Sequence, residues 1–192
     1  MPASKYIITV IVILSNAGVT FAQDMTKEDY INLSARSWKN FQCAYLHETA
    51  TGLSIYGDPF KKRGYELGKE FFAAIDAGKL MPYQFTLQVP YEFTSTQREL
   101  STDFDLGQIY STAKNQIAGE VIVFNKDLPA SFENFSQNDL KIDNEGTAKK
   151  AINKIKTENC DYDDLGLSQE IIANIKSAAS RGPVNINKLL KR

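Results

Sequence analysis

Residues 38 to 48 read Trp-Lys-Asn-Phe-Gln-Cys-Ala-Tyr-Leu-His-Glu, and they hold the only tryptophan, the only histidine and one of the two cysteines of the chain. The second cysteine is Cys160, 117 residues after Cys43. A disulfide between them would tie one helix to a distant segment, and most of the chain would fold inside the closed loop. The rest of the fold is therefore expected to be organised around this stretch.

The N-terminus has the pattern of a secretory signal peptide. Lys5 precedes an apolar run from Tyr6 to Leu14, and small and polar residues follow as far as Ala22. The run is too short to cross a bilayer, which takes about 20 apolar residues. We expect residues 1–22 to be removed and the protein to be periplasmic or secreted.

Export would place both cysteines in an oxidising compartment, which favours one disulfide between Cys43 and Cys160. Residues 23–192 are long enough for one α-helical domain with its own core, and residues 181–192 form a basic tail that either docks or stays mobile. The formal charge of the whole chain is −1. Nucleic-acid-binding domains usually carry a clear basic excess, so we expect no nucleic-acid partner.

Apolar residues at helical spacing predict most of the fold. Thr26 and Asp29 have the spacing of a capping box at the start of the first helix, and Ser168 is a good N-cap for the last. The predicted fold is a mainly α, single-domain bundle of four to five helices with one extended connector and one disulfide. Its predicted helices span residues 26–50, 58–77, 101–124, 147–157 and 168–179.

The first helix should be covered on two faces. At 100° per residue its apolar side chains gather on one side. Cys43 lies almost opposite, so a bond to Cys160 would dock the C-terminal region on the back of the helix. The apolar side is formed by Tyr30, Leu33, Trp38, Phe41, Ala44 and Tyr45, and the back by Arg36, Asn40, Cys43 and His47.

Three other stretches depart from a regular helical pattern. Gly64 and Gly68 lie in the apolar stripe of the second helix, where each costs about 1 kcal/mol against alanine, so a close crossing is expected there. Residues 81–93 alternate between apolar and polar, which predicts an extended connector with Tyr83 and the apolar residues after it on one buried face. Residues 125–146 are polar and contain a proline, which is typical of a long surface loop.

Glu48 is the polar residue that stands out, because its angle places it beneath Phe41 and Tyr45 on the apolar side of the first helix. A carboxylate there needs a partner, and Arg63 of the second helix could form a structural ion pair with it. The alternative is a functional acid in a polar cluster with further members on other helices. That candidate cluster comprises Glu48, Arg63, Asp103 and Tyr110, with Tyr45, Tyr65 and Tyr110 lining a cleft between the first three helices.

Three other polar groups have ordinary structural interpretations. His47 has no second histidine four residues later, where Thr51 stands, so a zinc-protease site is excluded and a partly exposed helix-end histidine is expected. Asp103 and Asp105 would cap the third helix, with Thr102 as its N-cap. Residues 161–166 begin like a calcium loop, but Leu165 and Ile172 stand where the EF-hand needs oxygen ligands, so a solvated turn is predicted. We expect no metal and no cofactor.

Two segments carry a resemblance to a known group of proteins. They are Arg63-Gly-Tyr-Glu-Leu-Gly-Lys-Glu-Phe71 and Ser101-Thr-Asp-Phe-Asp-Leu-Gly-Gln-Ile-Tyr110, with a cysteine in the preceding helix. Over residues 38–113 the chain resembles small exported bacterial proteins of uncharacterised function. The resemblance implies a bacterial exported origin and a helical fold, and it brings no activity or site residues with it.

Three functions are compatible with these patterns. The first is an exported, non-enzymatic protein that binds another protein, as an inhibitor, an immunity partner or an envelope accessory. The second is a small-ligand binder or hydrolytic enzyme that uses a buried cluster of Glu48, Arg63 and Asp103. The third, a structural role in the envelope, is not separated from the first by the sequence.

Overall fold

A computed structural model describes residues 25–85, 88–95, 101–124 and 141–183 of the chain. Within these ranges the protein is almost entirely helical, and extended backbone pairs only at an isolated antiparallel bridge between Phe124 and Ile142. The predicted mainly α bundle is confirmed. Its helices are α1 (Lys27–Thr51), α2 (Asp58–Asp76), α3 (Tyr91–Ser95), α4 (Thr102–Val121), α5 (Asn144–Glu158) and α6 (Gln169–Arg181).

The central element of the fold is α1, which packs against α2, α4, α5 and α6. The predicted capping box is present at its start, where the Thr26 side chain accepts a hydrogen bond from the Asp29 backbone and the Asp29 carboxylate accepts one from the Thr26 backbone. Gly52 ends the helix in the left-handed conformation that glycine adopts without steric cost. Buried residues occur around the whole circumference of α1, so its covering on two faces is confirmed.

On one side of α1, α2 and the first half of α4 pack through aromatic and large aliphatic side chains. A Cβ atom at Gly64 would lie 2.6 Å from the ring of Phe41, and one at Gly68 would overlap Leu106 of α4. The predicted close crossing at the two glycines is therefore confirmed. The core of this side, which we call the α2–α4 side, includes Leu33, Phe41, Leu67, Phe71, Phe72, Leu106 and Ile109.

On the opposite side of α1 lie α5 and α6, which we call the α5–α6 side. Cys43 and Cys160 are at disulfide distance, with Cα atoms 5.9 Å apart, and both are buried. An ion pair between Lys39 of α1 and Glu158 of α5 lies in the same region. The apolar contacts here include several alanines beside larger residues such as Leu46 and Ile155, and Phe60 of α2 and Ile175 of α6 pack around the cysteines. The alanines are Ala50, Ala151 and Ala179.

The connector between α2 and α4 differs from its prediction. Residues 82–84 form a 3-10 turn that begins at Pro82, and residues 91–95 form a helix that Pro90 immediately precedes. Tyr83 is 83% exposed, so it does not belong to a buried face, whereas Val89 and Phe93 are buried. In the residues described on either side of 86–87, the alternation coincides with these two short helical elements.

Several predictions lie partly or wholly outside the described residues. They are the signal peptide at 1–22, most of the loop at 125–146 and most of the tail at 181–192. The last three residues of the predicted loop belong to α5, which begins at Asn144 and has Asp143 as its N-cap. In α6, Ile172 and Ile175 are buried, whereas Ile171 is 46% exposed.

Candidate functional site

The predicted polar cluster is only partly assembled. Glu48 lies at the end of α1 and accepts a long hydrogen bond from the Tyr110 hydroxyl of α4, with 3.4 Å between the oxygens. Gly57 allows the start of α2 to approach this carboxylate, since a Cβ there would lie 2.6 Å from the Glu48 side chain. Glu48 and Tyr110 are thus brought together, and both are half-buried.

Burial governs the electrostatics of this pair. It raises the pKa of Glu48, and the ammonium groups of Lys114 and Lys61 only partly offset that effect. Burial, with the nearby Glu48 carboxylate, raises the pKa of Tyr110 to about 12. The ammonium of Lys61 lies 4.7 Å from the centre of the Tyr110 ring, and that of Lys114 lies 5.5 Å from the centre of the Tyr45 ring. The phenol therefore keeps its proton and donates it in the long hydrogen bond to the Glu48 carboxylate.

Arg63 does not join Glu48, and the predicted ion pair between them is wrong. Its guanidinium donates to Asp164 at 3.0 and 3.2 Å. Arg36 of α1 pairs with the same carboxylate, whose side chain is only 7% exposed. Burial alone would raise the pKa of Asp164, but the hydrogen bonds from Arg63 and Arg36 outweigh burial and lower it. Asp164 is therefore an ionised anchor that joins α1, α2 and the turn after Cys160.

Residues 161–166 form a turn that is exposed at Asp161, Asp163 and Gly166, as expected of a solvated turn, but the Asp164 side chain within it is buried. Asp161 accepts hydrogen bonds from the backbone of Asp163 and Asp164 at 3.1 and 3.2 Å, which closes the turn. The turn directs Asp164 towards α1. Sequence reasoning missed Asp164, although a signal was present: it follows Cys160 by four residues, and Arg36 and Asn40 share the face of α1 that carries Cys43.

The remaining member of the predicted cluster is also elsewhere. Asp103 lies at the start of α4, is 70% exposed and pairs with Lys69 of α2 at 2.7 Å. Ser101, and not Thr102, is the N-cap of this helix, because its side chain accepts a hydrogen bond from the Phe104 backbone. Asp105 is 2% exposed, which the capping interpretation did not predict.

His47 is fully buried, contrary to the expectation of a partly exposed residue. Its ring stacks on Phe60 with 4.8 Å between centroids, and its Nε2 lies 3.1 Å from the Tyr162 hydroxyl. Its Nδ1 has no hydrogen-bond partner in the described part of the chain. Burial lowers the pKa of His47 to about 4, so the ring is neutral at pH 7. His47 thus lies on the inner side of Tyr162 and contacts it through both its ring and its Nε2 atom.

Tyr162 forms part of a groove between α5 and α6 that sequence analysis did not predict. The groove has a volume of about 580 Å³ and is open to solvent. Ile155, Cys160 and Ala179 are buried at its floor, and Lys156 and Lys176 are exposed at its edges. The Lys176 ammonium lies 4.4 Å from the centre of the Tyr162 ring.

The helical periods of α5 and α6 explain why the groove has this lining. Its residues recur at intervals of three and four along each helix, which puts them on one face of each. On α5 they are Ile152, Ile155, Lys156 and Asn159, and on α6 they are Lys176, Ala179 and Ser180. Both helices pack on α1 and make few contacts with each other, which leaves the space between them open.

Searches for other kinds of site were negative in the described ranges. No group of three or more histidine, cysteine, aspartate or glutamate side chains there could hold a metal ion. None of the helices in those ranges is long and apolar enough to cross a membrane. Comparison of the chain with family models, with curated proteins and with solved structures found no match.

Proposed function

We propose that this protein is exported and non-enzymatic, and that it binds another protein through the groove between α5 and α6. The groove itself is the observation that carries the proposal. It combines an apolar floor with exposed charged edges, as protein interfaces do, and it is open, whereas small-molecule sites enclose most of their ligand. The signal-peptide pattern and the Cys43–Cys160 pair support export.

Binding of this kind is compatible with the role of an inhibitor, an immunity partner or an envelope accessory. In each of these roles the protein presents a rigid surface to its target. The disulfide between Cys43 and Cys160 gives the region around Cys160 such a surface. The groove lies directly beside this cysteine, so its floor is held to α1.

Site-specific photo-crosslinking in the source cells tests the proposal. p-Benzoylphenylalanine is introduced at Ser180, at the edge of the groove, and in a control at Lys62, an exposed position of α2. We expect a discrete protein adduct from Ser180 and none from Lys62. No adduct from Ser180, or the same adducts from both positions, would contradict binding through the groove. p-Benzoylphenylalanine at the exposed Tyr83 is a third position. An adduct from this position alone would show binding through the connector between α2 and α4 instead.

A small-ligand or hydrolytic function at Glu48 is the second candidate, and the raised pKa of its carboxyl is what favours it. Against it, Arg63 and Asp103 are engaged with Asp164 and Lys69, so neither converges on Glu48. Ligand-observed NMR with a fragment mixture separates the candidates. Saturable binding that is lost in Glu48→Gln would favour the second function.

A further inference from the structure

We propose that the groove between α5 and α6 receives an amphipathic helical segment of the partner with acidic residues flanking its apolar side chains. This inference rests on the proposed function, because it specifies the partner of the same groove. The shape of the groove, the state of its lysines and the kind of backbone that can lie in it all point to such a segment.

The shape matches a helix lying between two helices. A Cβ atom at Gly182, after the end of α6, would lie 4.0 Å from the Ile152 side chain, whereas Lys176 reaches Tyr162 beyond the end of α5. The two helices therefore run in opposite directions along the groove. From Ile152 to Asn159 the wall extends for about 10 Å, or two helical turns. This length fits a short helix with one or two apolar anchors.

The lysines of the groove have no described carboxylate to neutralise them. Two other lysines of α5 do form ion pairs. Lys149 pairs with Glu145, and Lys154 pairs with both Glu120 and Glu158. Lys156 and Lys176 form no ion pair with any carboxylate in the described ranges. Both are exposed at opposite edges of an apolar floor. Acidic side chains on a partner would complement this pair.

Two aspartates also line the groove. The Asp161 carboxylate accepts two backbone hydrogen bonds within its own turn, and the same residue lines a small cavity with Arg36 and Asn40 of α1. Asp163 is exposed beyond the end of α5, at the end of the groove where the Lys176 ammonium contacts Tyr162. Asp161 is thus engaged within its own turn, which leaves Asp163 as the carboxylate of the groove beside two lysines.

A helical occupant is favoured over an extended one. Extended peptides commonly bind by adding a strand to a sheet edge, and the described ranges contain no sheet. Helix-in-groove binding instead uses apolar anchors at intervals of three and four residues. Ile152, Ile155 and Ala179 present the matching apolar surface at those intervals.

The test uses two synthetic peptides of 16 residues with blocked ends. Both carry leucine at helical spacing and alanine elsewhere, and they differ in having either glutamate or lysine at the flanking positions. Fluorescence anisotropy with the full mature protein should show saturable binding of the glutamate peptide, at least tenfold tighter than that of the lysine peptide. Absence of saturable binding, or equal binding of both peptides, would overturn the proposal.

Variants locate the binding. The double substitution Lys156→Glu/Lys176→Glu should weaken binding of the glutamate peptide at least tenfold and strengthen binding of the lysine peptide. A charge-matched control, Lys62→Glu/Lys150→Glu, changes exposed lysines outside the groove and should stay within twofold of the unmodified protein. Circular dichroism verifies that all the variants are folded. If both double variants weaken binding equally, the attraction is one of net charge and the proposal is wrong.

Laurate serves as a third probe, because a fatty acid also joins an apolar chain to a carboxylate. Saturable laurate binding that is lost in Lys156→Glu/Lys176→Glu, together with failure of the glutamate peptide, would assign the groove to a lipid and overturn the proposal. Failure of the peptide together with an adduct from Ser180 would reject the acidic helix and leave the proposed function standing. If the glutamate peptide does not bind and Ser180 gives no adduct, both the acidic helix and the proposed function are rejected.

Discussion

On the α2–α4 side of α1 the contacts are mostly between large apolar side chains, whereas on the α5–α6 side a cysteine pair and several ion pairs lie beside alanines and an aromatic group around Phe60 and Tyr162. The first side contains the phenylalanines 41, 71, 72 and 93 packed together. The second contains Cys43 with Cys160, Arg36 with Asp164, and Lys39 with Glu158.

The difference follows from how much apolar surface each side can bury. Hydrophobic stabilisation scales with buried apolar area, at roughly 25 cal/mol per Å². The residues that α6 buries are Ile172, Ile175, Ala178 and Ala179, and half of these are alanine. We expect these contacts to bury less apolar surface than those of the α2–α4 side, and the disulfide and the ion pairs to contribute more of the stability here.

The largest effect is expected at Phe41, whose ring contacts Tyr65 and Tyr110 at 5.3 and 5.5 Å between centroids. Phe41→Ala leaves a cavity in the α2–α4 side and should reduce the free energy of unfolding by about 3 to 5 kcal/mol. Urea unfolding measures the loss. Phe104→Ala, at a 46% exposed position, is the control and should cost less than about 1 kcal/mol. Equal losses would mean that the aromatic contacts do not determine stability on this side.

Acid should weaken the α5–α6 side through His47. Its pKa is lowered to about 4 in the folded protein, from 6.5, because the buried ring resists charging. The unfolded chain therefore binds a proton below pH 6.5 that the folded protein binds only below about pH 4, and stability is lost as the pH falls between those values. The total loss is on the order of 3 kcal/mol.

Urea unfolding at pH 7 and pH 5 measures this slope, and His47→Gln should flatten it. The hydrogen bonds from Lys39 and Lys154 lower the pKa of Glu158 to about 2, so its own contribution is lost only below about pH 4.5 and does not interfere. A slope that is unchanged in His47→Gln would show that other groups govern stability in this range.

Asp164 should have the next largest effect. Asp164→Asn leaves Arg36 and Arg63 without their shared carboxylate, and because the two arginines are partly exposed the loss should be about 2 kcal/mol. Asp163→Asn, in the same turn but exposed, should change stability by less than about 0.5 kcal/mol. Thermal unfolding of the two variants side by side makes the comparison. Similar effects would rule out Asp164 as an anchor.

The smallest effect distinguishes two glycines. Gly64→Ala improves helix propensity but places a Cβ 2.6 Å from the Phe41 ring, so we expect a net loss of about 1 kcal/mol. Gly119→Ala, in α4, meets nothing within 4 Å and should stabilise the protein by about 0.5 to 1 kcal/mol. Urea unfolding curves give the change in the free energy of unfolding for both variants. A gain at Gly64 would show that the crossing of α1 and α2 is looser than its geometry implies.

The sequence predicted those parts of the fold that depend on local signals. The capping box at Thr26, the periodic face of α4 and the glycines of α2 were each identified from neighbouring residues. The opposition of Cys43 to the apolar side of α1 also followed from helical geometry alone.

The errors arose where the outcome depends on how two elements are rotated about each other. Helical angles place Arg63 at the edge of α2, but only the docking of the turn after Cys160 decides that it faces Asp164 and not Glu48. The burial of His47 depends on the same docking, because Tyr162 comes from that turn. The groove was not predicted because it is a gap between α5 and α6.

Amide hydrogen exchange, followed by mass spectrometry, tests most directly whether the two sides of α1 are held by different means. The experiment compares the unmodified protein with Cys43→Ala/Cys160→Ala, since a disulfide closing a loop near 100 residues is worth on the order of 4 to 5 kcal/mol in the chain-entropy model. We expect α5, α6 and the turn at 161–166 to lose protection while α2 and α4 keep theirs. Equal loss of protection in all the helices, or no change in α5 and α6, would contradict the account.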